Sequence, residues 1–173
     1  DHANRARYPL EVLRAIREVW PDERPISVRL SAHDWAEGGN TAEDAEVFSR
    51  MFKDAGADLI DCSSGQVVTE AQPVYGRMYQ TPFSDRIRNE VEVDTIAVGA
   101  ISEADHANSI IAAGRADLCA VARPFLADPA FVLHEAAKIG YGGLEWPKQY
   151  LSARQQYETN LERAAAEAAG AKP

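Results

Sequence analysis

The segment 94–129 constrains the fold more than any other part of the chain. Two short apolar runs, 95–98 and 118–121, enclose a stretch whose apolar members share one face of a helix, namely Ala107, Ile110, Ile111 and Ala113. Strand, helix and strand in this order, with no hairpin turn between them, predict a βαβ unit with parallel strands.

Both strands of this unit end at a predicted anion site. Gly99 lets a phosphate approach the backbone, and Ser102 is suited to cap the helix that begins near Glu103. Arg123 supplies a guanidinium where the second strand stops. Adjacent strand ends of this kind hold cofactor phosphates in (β/α)8 barrels. Two alternatives stay open, since Gly99 would also serve a tight turn and Arg123 would also cap a helix.

The rest of the chain repeats the alternation of helix and strand. Further strands are predicted over 26–31 and 58–62, and helices over 4–19, 41–56, 83–91, 128–138 and 151–168. An eight-unit barrel needs about 250 residues, and only four strand–helix units are present. We therefore predict an α/β fold, the second half of a TIM barrel, over residues 1–150, a helical tail over 151–173, and a chain that is a fragment of a longer enzyme.

A polar face is predicted for the strand over 26–31, which alternates Ile26, Val28, Leu30 with Ser27, Arg29, Ser31. In a barrel the apolar face meets the helices, so Arg29 would project into the barrel mouth. An arginine in that place requires an anionic partner. The partner is either a ligand or a carboxylate, with Asp61 and Asp34 as the candidates.

Two loops after strands carry candidate substrate residues. His33 and Asp34 follow the first strand, at the end where barrel chemistry occurs, and are either near a ligand or solvated. The long segment 67–82 places Tyr75, Tyr79 and Gln80 either around a substrate pocket or against the barrel rim.

The cysteines and the other histidines receive no chemical role. Cys62 and Cys119 lie in predicted buried strands without metal-ligand spacing, so both are interpreted as core thiols and no metal site is predicted. The other histidines are predicted to lie on helix surfaces or at the terminus, namely His2, His106 and His134.

Charge and hydropathy exclude several partners. The formal net charge of −9 argues against nucleic acid and anionic membranes, which bind clustered lysines and arginines. No apolar run approaches the roughly 18 residues that cross a bilayer. We therefore predict a cytoplasmic protein with a small-molecule substrate.

Six segments resemble, in order, the C-terminal half of the Old Yellow Enzyme family, the FMN-dependent NAD(P)H:flavin oxidoreductases. They are NRARYPLEV, VRLSAHDWAEGG, YQTPF, AVGAI, GRADLCAVARPFLADP and WPKQY. Within that family, VRLSAHDW and WPKQYL are most similar to the reductase-like half of the bifunctional salicylyl-CoA and anthraniloyl-CoA hydroxylases. In those proteins an FAD monooxygenase domain precedes the barrel.

The resemblance implies a set of FMN contacts. Arg29 would lie near flavin N1 and the pyrimidine oxygen, where a fixed positive charge stabilises the anionic reduced flavin. Gly99 and Ala100 would offer backbone amides to the phosphate, and Ala122 and Arg123 would complete that cradle. The family usually has Gly at the position of Ala122. The alanine of this chain adds a methyl group beside the expected phosphate.

The resemblance also implies a reaction and a missing partner. NADH or NADPH would reduce FMN, which would then reduce an electron-poor alkene or an aromatic CoA thioester. His33 and Tyr79 are candidate substrate contacts. Arg154 is a third, because some relatives insert an arginine into a neighbouring subunit where this chain has Ser152. The residues that hold the substrate carbonyl belong to the family's first half, so a missing N-terminal half-barrel is expected.

Two other functions stay open from the sequence. One is a non-catalytic half-barrel that binds phosphate or flavin, or self-assembles into a homo-oligomer through its unpaired sheet edges. The other is different chemistry on a phosphate-binding barrel. Schiff-base chemistry is disfavoured, because no lysine lies at a predicted strand end.

Overall fold

The computed structural model describes residues 1–170, so the last three residues of the predicted tail lie outside the described part. Four strands are present, β1 Ser27–Ser31, β2 Leu59–Ser63, β3 Asp94–Val98 and β4 Leu118–Ala120. The helices are α1 His2–Val19, α2 Ala42–Asp54, α3 Thr81–Val91, α4 Ala104–Ala112, α5 Arg123–Ala127, α6 Phe131–Lys138 and α7 Leu151–Gly170, with a 3-10 turn at Lys148–Tyr150.

The chain divides into two compact units, residues 1–121 and 122–173. The first unit contains all four strands and helices α1 to α4, and the second contains α5 to α7. The predicted division after residue 150 stays a prediction. Within residues 1–170, no helix combines the length and the apolar character needed to cross a membrane.

The sheet in the first unit is parallel throughout, with the strand order β1-β2-β3-β4. A helix connects each strand to the next, so the predicted βαβ unit and the absence of hairpins between the strands are confirmed. The register places Arg29 opposite Asp61, Asp61 opposite Ile96, and Ile96 opposite Leu118. Since side chains alternate along a strand, these four lie on one face of the sheet.

The core lies on the other face, where the strands meet α1, α2 and α3. Ile60 and Cys62 of β2 are fully buried there, with Val28 and Leu30 of β1 beside them. The helices contribute Leu10, Leu13, Phe48, Phe52, Ile87 and Val91. The alternation predicted for the first strand is confirmed, because its apolar members face the helices.

The face that carries Arg29 is only partly covered. The Arg29 side chain is 57% exposed and Leu118 is 53% exposed. Parallel sheets are ordinarily covered on both faces. The described elements of the first unit therefore provide one covered face and one open, partly polar face.

Local signals explain where two of the helices begin. The Thr41 side chain accepts a hydrogen bond from the Asp44 amide, and the Asp44 carboxylate accepts one from the Thr41 amide, which is a capping box at the start of α2. Pro82 lies in the first turn of α3. The helix predicted over 83–91 begins two residues earlier in the structure, at Thr81, because proline fits the first turn of a helix.

Two other predictions near helix starts are also corrected. Glu103 rather than Ser102 is the residue before α4, and the Ser102 amide donates to Nδ1 of His106 at 3.3 Å. The helix predicted over 128–138 is present as α6 Phe131–Lys138, and the structure adds the short helix α5, which begins at Arg123.

Candidate functional site

Arg29 is held at the centre of the open face by two side chains of β2. Its Nη1 donates to Oδ2 of Asp61 at 2.6 Å, and its Nη2 donates to Oγ of Ser63 at 3.1 Å. A guanidinium has five N–H donors, and within residues 1–170 the other three have no hydrogen-bond partner. The carboxylate partner predicted as Asp61 or Asp34 is Asp61, and the pair is not fully buried.

A side-chain network ties the loops that follow β1 and β2 to the end of β3. Gln80 accepts from Ser64 Oγ at 2.7 Å and donates to the Val98 carbonyl at 2.7 Å, and Trp35 Nε1 donates to Ser64 Oγ at 3.0 Å. From the sequence, Gln80 is placed either at a substrate pocket or against the barrel rim, and neither Ser64 nor Trp35 has a signal of its own. Their partners are too far apart along the chain to form a local pattern.

Gly99 lies against this network. Its φ is +109°, and a Cβ built on it would lie 2.5 Å from Gln80 Nε2 and 3.1 Å from the Tyr79 ring. Tyr79 packs edge-on against Tyr75, with ring centroids 5.2 Å apart. The turn and the close approach of Gln80 both require glycine here, which supports the alternative of a tight turn. The phosphate role of Gly99 and Ala100 stays a prediction.

Backbone strain concentrates at the same end of the sheet. Five non-glycine residues of the described chain have positive φ, and four of them lie in the loops after β1, β2 and β3, namely Trp35, Gln66, Met78 and Ala100. Such conformations cost about 1–3 kcal/mol each and cluster at functional sites. The strain therefore makes the C-terminal ends of the strands the candidate functional end of this unit.

His33 and Asp34 shape the loop after β1. His33 Nδ1 accepts from the Trp35 amide at 2.9 Å, and the two rings pack with centroids 4.5 Å apart. Asp34 is buried and accepts from the Ser31 hydroxyl at 2.9 Å and the Asn40 amide at 2.7 Å. The alternative that Asp34 is merely solvated is therefore wrong.

The second unit carries the remaining predicted site residues. Ala122 precedes α5, and Arg123 is the exposed first residue of that helix. Arg154 donates through Nε to Glu158 at 2.8 Å, one turn along α7. The roles of Ala122 and Arg123 at a phosphate, and of Arg154 at a substrate, stay predictions.

The cysteines differ in burial. Cys62 is fully buried, and burial raises the pKa of its thiol to about 12, so it is a core thiol as predicted. Cys119 is half-buried, and burial also raises the pKa of its thiol. Within residues 1–170, no group of three or more His, Cys, Asp or Glu side chains is arranged to hold a metal ion.

Two of the histidines are not simply surface residues. His106 is buried on the same face of α4 as Ile110, so its predicted surface position is wrong. His134 Nδ1 lies 2.6 Å from Asp128 Oδ2, and its ring stacks on Tyr157 at 4.4 Å between centroids. The hydrogen bond with His134 lowers the pKa of the Asp128 carboxyl.

Comparison with known proteins places the chain in a family of flavin-dependent enzymes. The profile of the NADH:flavin oxidoreductase / NADH oxidase family matches residues 1–140. The chain belongs to this family, whose cofactor is FMN with NADH or NADPH as electron donor.

Curated relatives are longer than this chain. It is 40% identical over 147 residues to the NADPH dehydrogenase of Listeria monocytogenes serotype 4a (strain HCC23), a match that covers 85% of this chain and 42% of the relative. It is 41% identical over the same length to the NADPH dehydrogenase of Halalkalibacterium halodurans. The chain thus spans about two-fifths of the length of these relatives.

Two solved structures share the fold. A 2-naphthoyl-CoA reductase in complex with 2-naphthoyl-CoA is 26% identical, with a TM-score of 0.67, and the match covers 79% of this chain and 22% of that one. The 6-hydroxypseudooxynicotine amine oxidase of Pseudomonas geniculata N1 is 27% identical, with a TM-score of 0.64 and coverages of 80% and 21%.

Proposed function

We propose that residues 1–121 supply four βα units of an FMN-binding (β/α)8 barrel, in which Arg29 contacts the pyrimidine end of the flavin. The observation that carries the proposal is the open-face guanidinium of Arg29, which has two donors fixed by β2 and three left for a ligand. When bound, FMN would carry reducing equivalents from NADH or NADPH to an electron-poor alkene or a CoA thioester.

The open face of the sheet supports the half-barrel. A parallel sheet needs cover on both faces, and four further strands would curl this face into a closed interior. Arg29, Asp61 and Ser63 would then point into that interior at the level of the barrel mouth. An exposed arginine would become an enclosed one, where its charge acts more strongly on a ligand because the local dielectric is lower.

The residues at the strand ends fit a ligand that is held at two places. Ile96 of β3 is level with Arg29 of β1 in the register of the sheet, and Gly99 follows Ile96 by three residues. Gly99 therefore lies about 10 Å from Arg29 across the sheet and about 10 Å further along the strand direction. A flavin ring joined to a distant phosphate spans such a distance, whereas a small anion does not. Consecutive positive φ values at Gly99 and Ala100 suit backbone amides that converge on an anion.

Arg29 would contribute charge as well as contacts. Its guanidinium is always protonated, so it would favour the form of the flavin that carries negative charge at the pyrimidine end. Ala122 and Arg123 are proposed phosphate contacts from the family resemblance alone. His33 and Tyr79 are proposed substrate contacts because they lie in the loops after β1 and β2, and Arg154 is proposed from the family resemblance.

The substrate class is proposed from two sources. The family resemblance suggests an electron-poor alkene or an aromatic CoA thioester, and one structural relative is a 2-naphthoyl-CoA reductase in complex with 2-naphthoyl-CoA. The other structural relative is an amine oxidase, so the shared fold does not fix the substrate. We also propose an upstream monooxygenase domain, from the same resemblance, and a cytoplasmic location.

A non-catalytic, self-associating half-barrel is the second candidate. The exposed Leu118 on the open face favours it, because an apolar side chain there would be buried against a second copy. In that case the same face that we assign to the missing strands would form a dimer interface.

Titration of FMN with the purified chain tests the first proposal, with quenching of flavin fluorescence as the signal. We expect saturable quenching that Arg29→Ala weakens at least tenfold, about 1.4 kcal/mol. Arg14→Ala is the matched control, because Arg14 is an exposed arginine on the outer helix α1. Equal affinities for the parent chain and Arg29→Ala would contradict the proposal, and a dimer without quenching would favour the second candidate.

A further inference from the structure

We infer that Asp61 is a positioning residue of the flavin site, which holds the guanidinium of Arg29 in the orientation that presents its free donors to the ligand. This inference rests on the proposed function, since it gives Asp61 a role at the same site. Asp61 acts through Arg29 and needs no contact of its own with the flavin.

The geometry is that of a two-point clamp on one strand. Asp61 is opposite Arg29 in the register of β1 and β2, and Ser63 is the next residue of β2 on the same face. Oδ2 of Asp61 binds Nη1 at 2.6 Å, and Oγ of Ser63 binds Nη2 at 3.1 Å. Both terminal nitrogens are therefore fixed from one side, which limits rotation of a side chain that is otherwise 57% exposed.

Fold stability does not explain why a carboxylate occupies this position. The Asp61 side chain is 16% exposed, and its Oδ1 is buried without a hydrogen-bond partner in the described part of the chain. Leaving a buried carboxylate oxygen unpaired is unfavourable. The exposed guanidinium offers little in return, because ion pairs with exposed partners contribute little to stability.

Two other aspartates of the first unit show what a structural pair looks like. Asp58 pairs with Arg17 and also accepts from the Ile26 amide, and Asp117 pairs with Arg88 and accepts from the Thr95 amide. Each therefore ties backbone to side chain before a strand begins. Asp61 lies inside a strand, and within the described residues its carboxylate accepts a hydrogen bond from Arg29 alone.

A double-mutant cycle tests the inference on the whole chain. FMN affinity is measured by fluorescence quenching for the parent, Asp61→Ala, Arg29→Ala and the double variant. If Asp61 acts through Arg29, Asp61→Ala weakens FMN binding about tenfold in the parent and less than twofold in the Arg29→Ala background. Asp94→Ala is the control, because Asp94 is an exposed aspartate on the same face of β3, and we expect it to change the affinity less than twofold.

The cycle separates failure of the inference from failure of the proposed function. An equal loss in both backgrounds, or no loss in either, overturns the positioning role while the FMN site stands. A parent chain that does not quench FMN overturns the proposed function and the inference with it. Thermal unfolding provides the second readout: we expect the midpoint of Asp61→Ala to equal or exceed that of the parent, and a clear fall would assign Asp61 to the fold instead.

Discussion

At the scale of single residues, Arg29 shows what the alternation of residues along a strand can predict and what it cannot. The alternation of apolar and polar residues placed Arg29 on the face opposite the helices, and Asp61 was one of two predicted carboxylate partners. Both predictions are confirmed. The pattern could not choose between Asp61 and Asp34, because that choice depends on the register between β1 and β2 and on the burial of Asp34 in its own loop.

Residues that act through long-range contacts were harder to predict. Gln80 joins the Ser64 hydroxyl to the Val98 carbonyl, and the partners lie 16 and 18 positions away. Nothing local distinguishes such a glutamine from one that faces solvent. His106 is different, since its spacing of four residues from Ile110 places it on the buried face of α4, and that signal was present in the sequence.

Gly99→Ala tests the close packing at the end of β3. The substitution would strain a backbone with φ +109° and drive a methyl group into Gln80, whose end is fixed by two hydrogen bonds. We expect a loss of about 2 kcal/mol in the free energy of unfolding, measured by urea denaturation. Gly76→Ala is the control, because nothing lies within 4 Å of a Cβ built on Gly76. Equal midpoints for the two variants would contradict this account.

At the scale of elements, the sequence predicted every strand and every helix of the first unit, with small errors at their ends. Periodicity identifies such elements well, because their buried faces repeat every two or every 3.6 residues. The errors fall at helix starts, where single contacts decide. Helix α3 begins at Thr81 with Pro82 in its first turn, and the five-residue α5 of the second unit is too short to show a period.

The capping box of α2 gives a pH-dependent prediction. Hydrogen bonds from the Thr41 amide and from His2 lower the pKa of Asp44 from 3.8 to about 2. A lowered carboxyl pKa means that the ionised form stabilises the fold, so this contribution is complete above about pH 4 and is lost as the pH falls through about 2. We expect Asp44→Ala to reduce the free energy of unfolding by about 1 kcal/mol at pH 7.

Urea denaturation at pH 7, 4 and 2.5 measures this difference. The gap between the parent and Asp44→Ala should narrow between pH 4 and pH 2.5, because the Asp44 carboxyl of the unfolded parent binds a proton in this range while that of the folded parent stays mostly ionised. Asp22→Ala removes a similar charge from an exposed turn and serves as the control. A gap that stays constant across this range would show that the Asp44 carboxylate does not contribute through its charge.

At the scale of the whole molecule, the parallel order of the four strands follows from the sequence because each strand is followed by a helix and none by a hairpin. Family membership was equally accessible, since it depends on segments that lie in order along the chain. The open face has no sequence signature, because its side chains would look the same in a closed barrel. We therefore propose the half-barrel on the exposure of that face.

We propose that the strand ends of this chain bind FMN and recognise its phosphate. The most direct test compares FMN with riboflavin, which lacks the phosphate, by isothermal titration calorimetry of the parent chain. We predict that FMN binds at least tenfold more tightly than riboflavin, and that Arg123→Ala removes most of this preference. Equal affinity for the two flavins, or binding of neither, would contradict the claim.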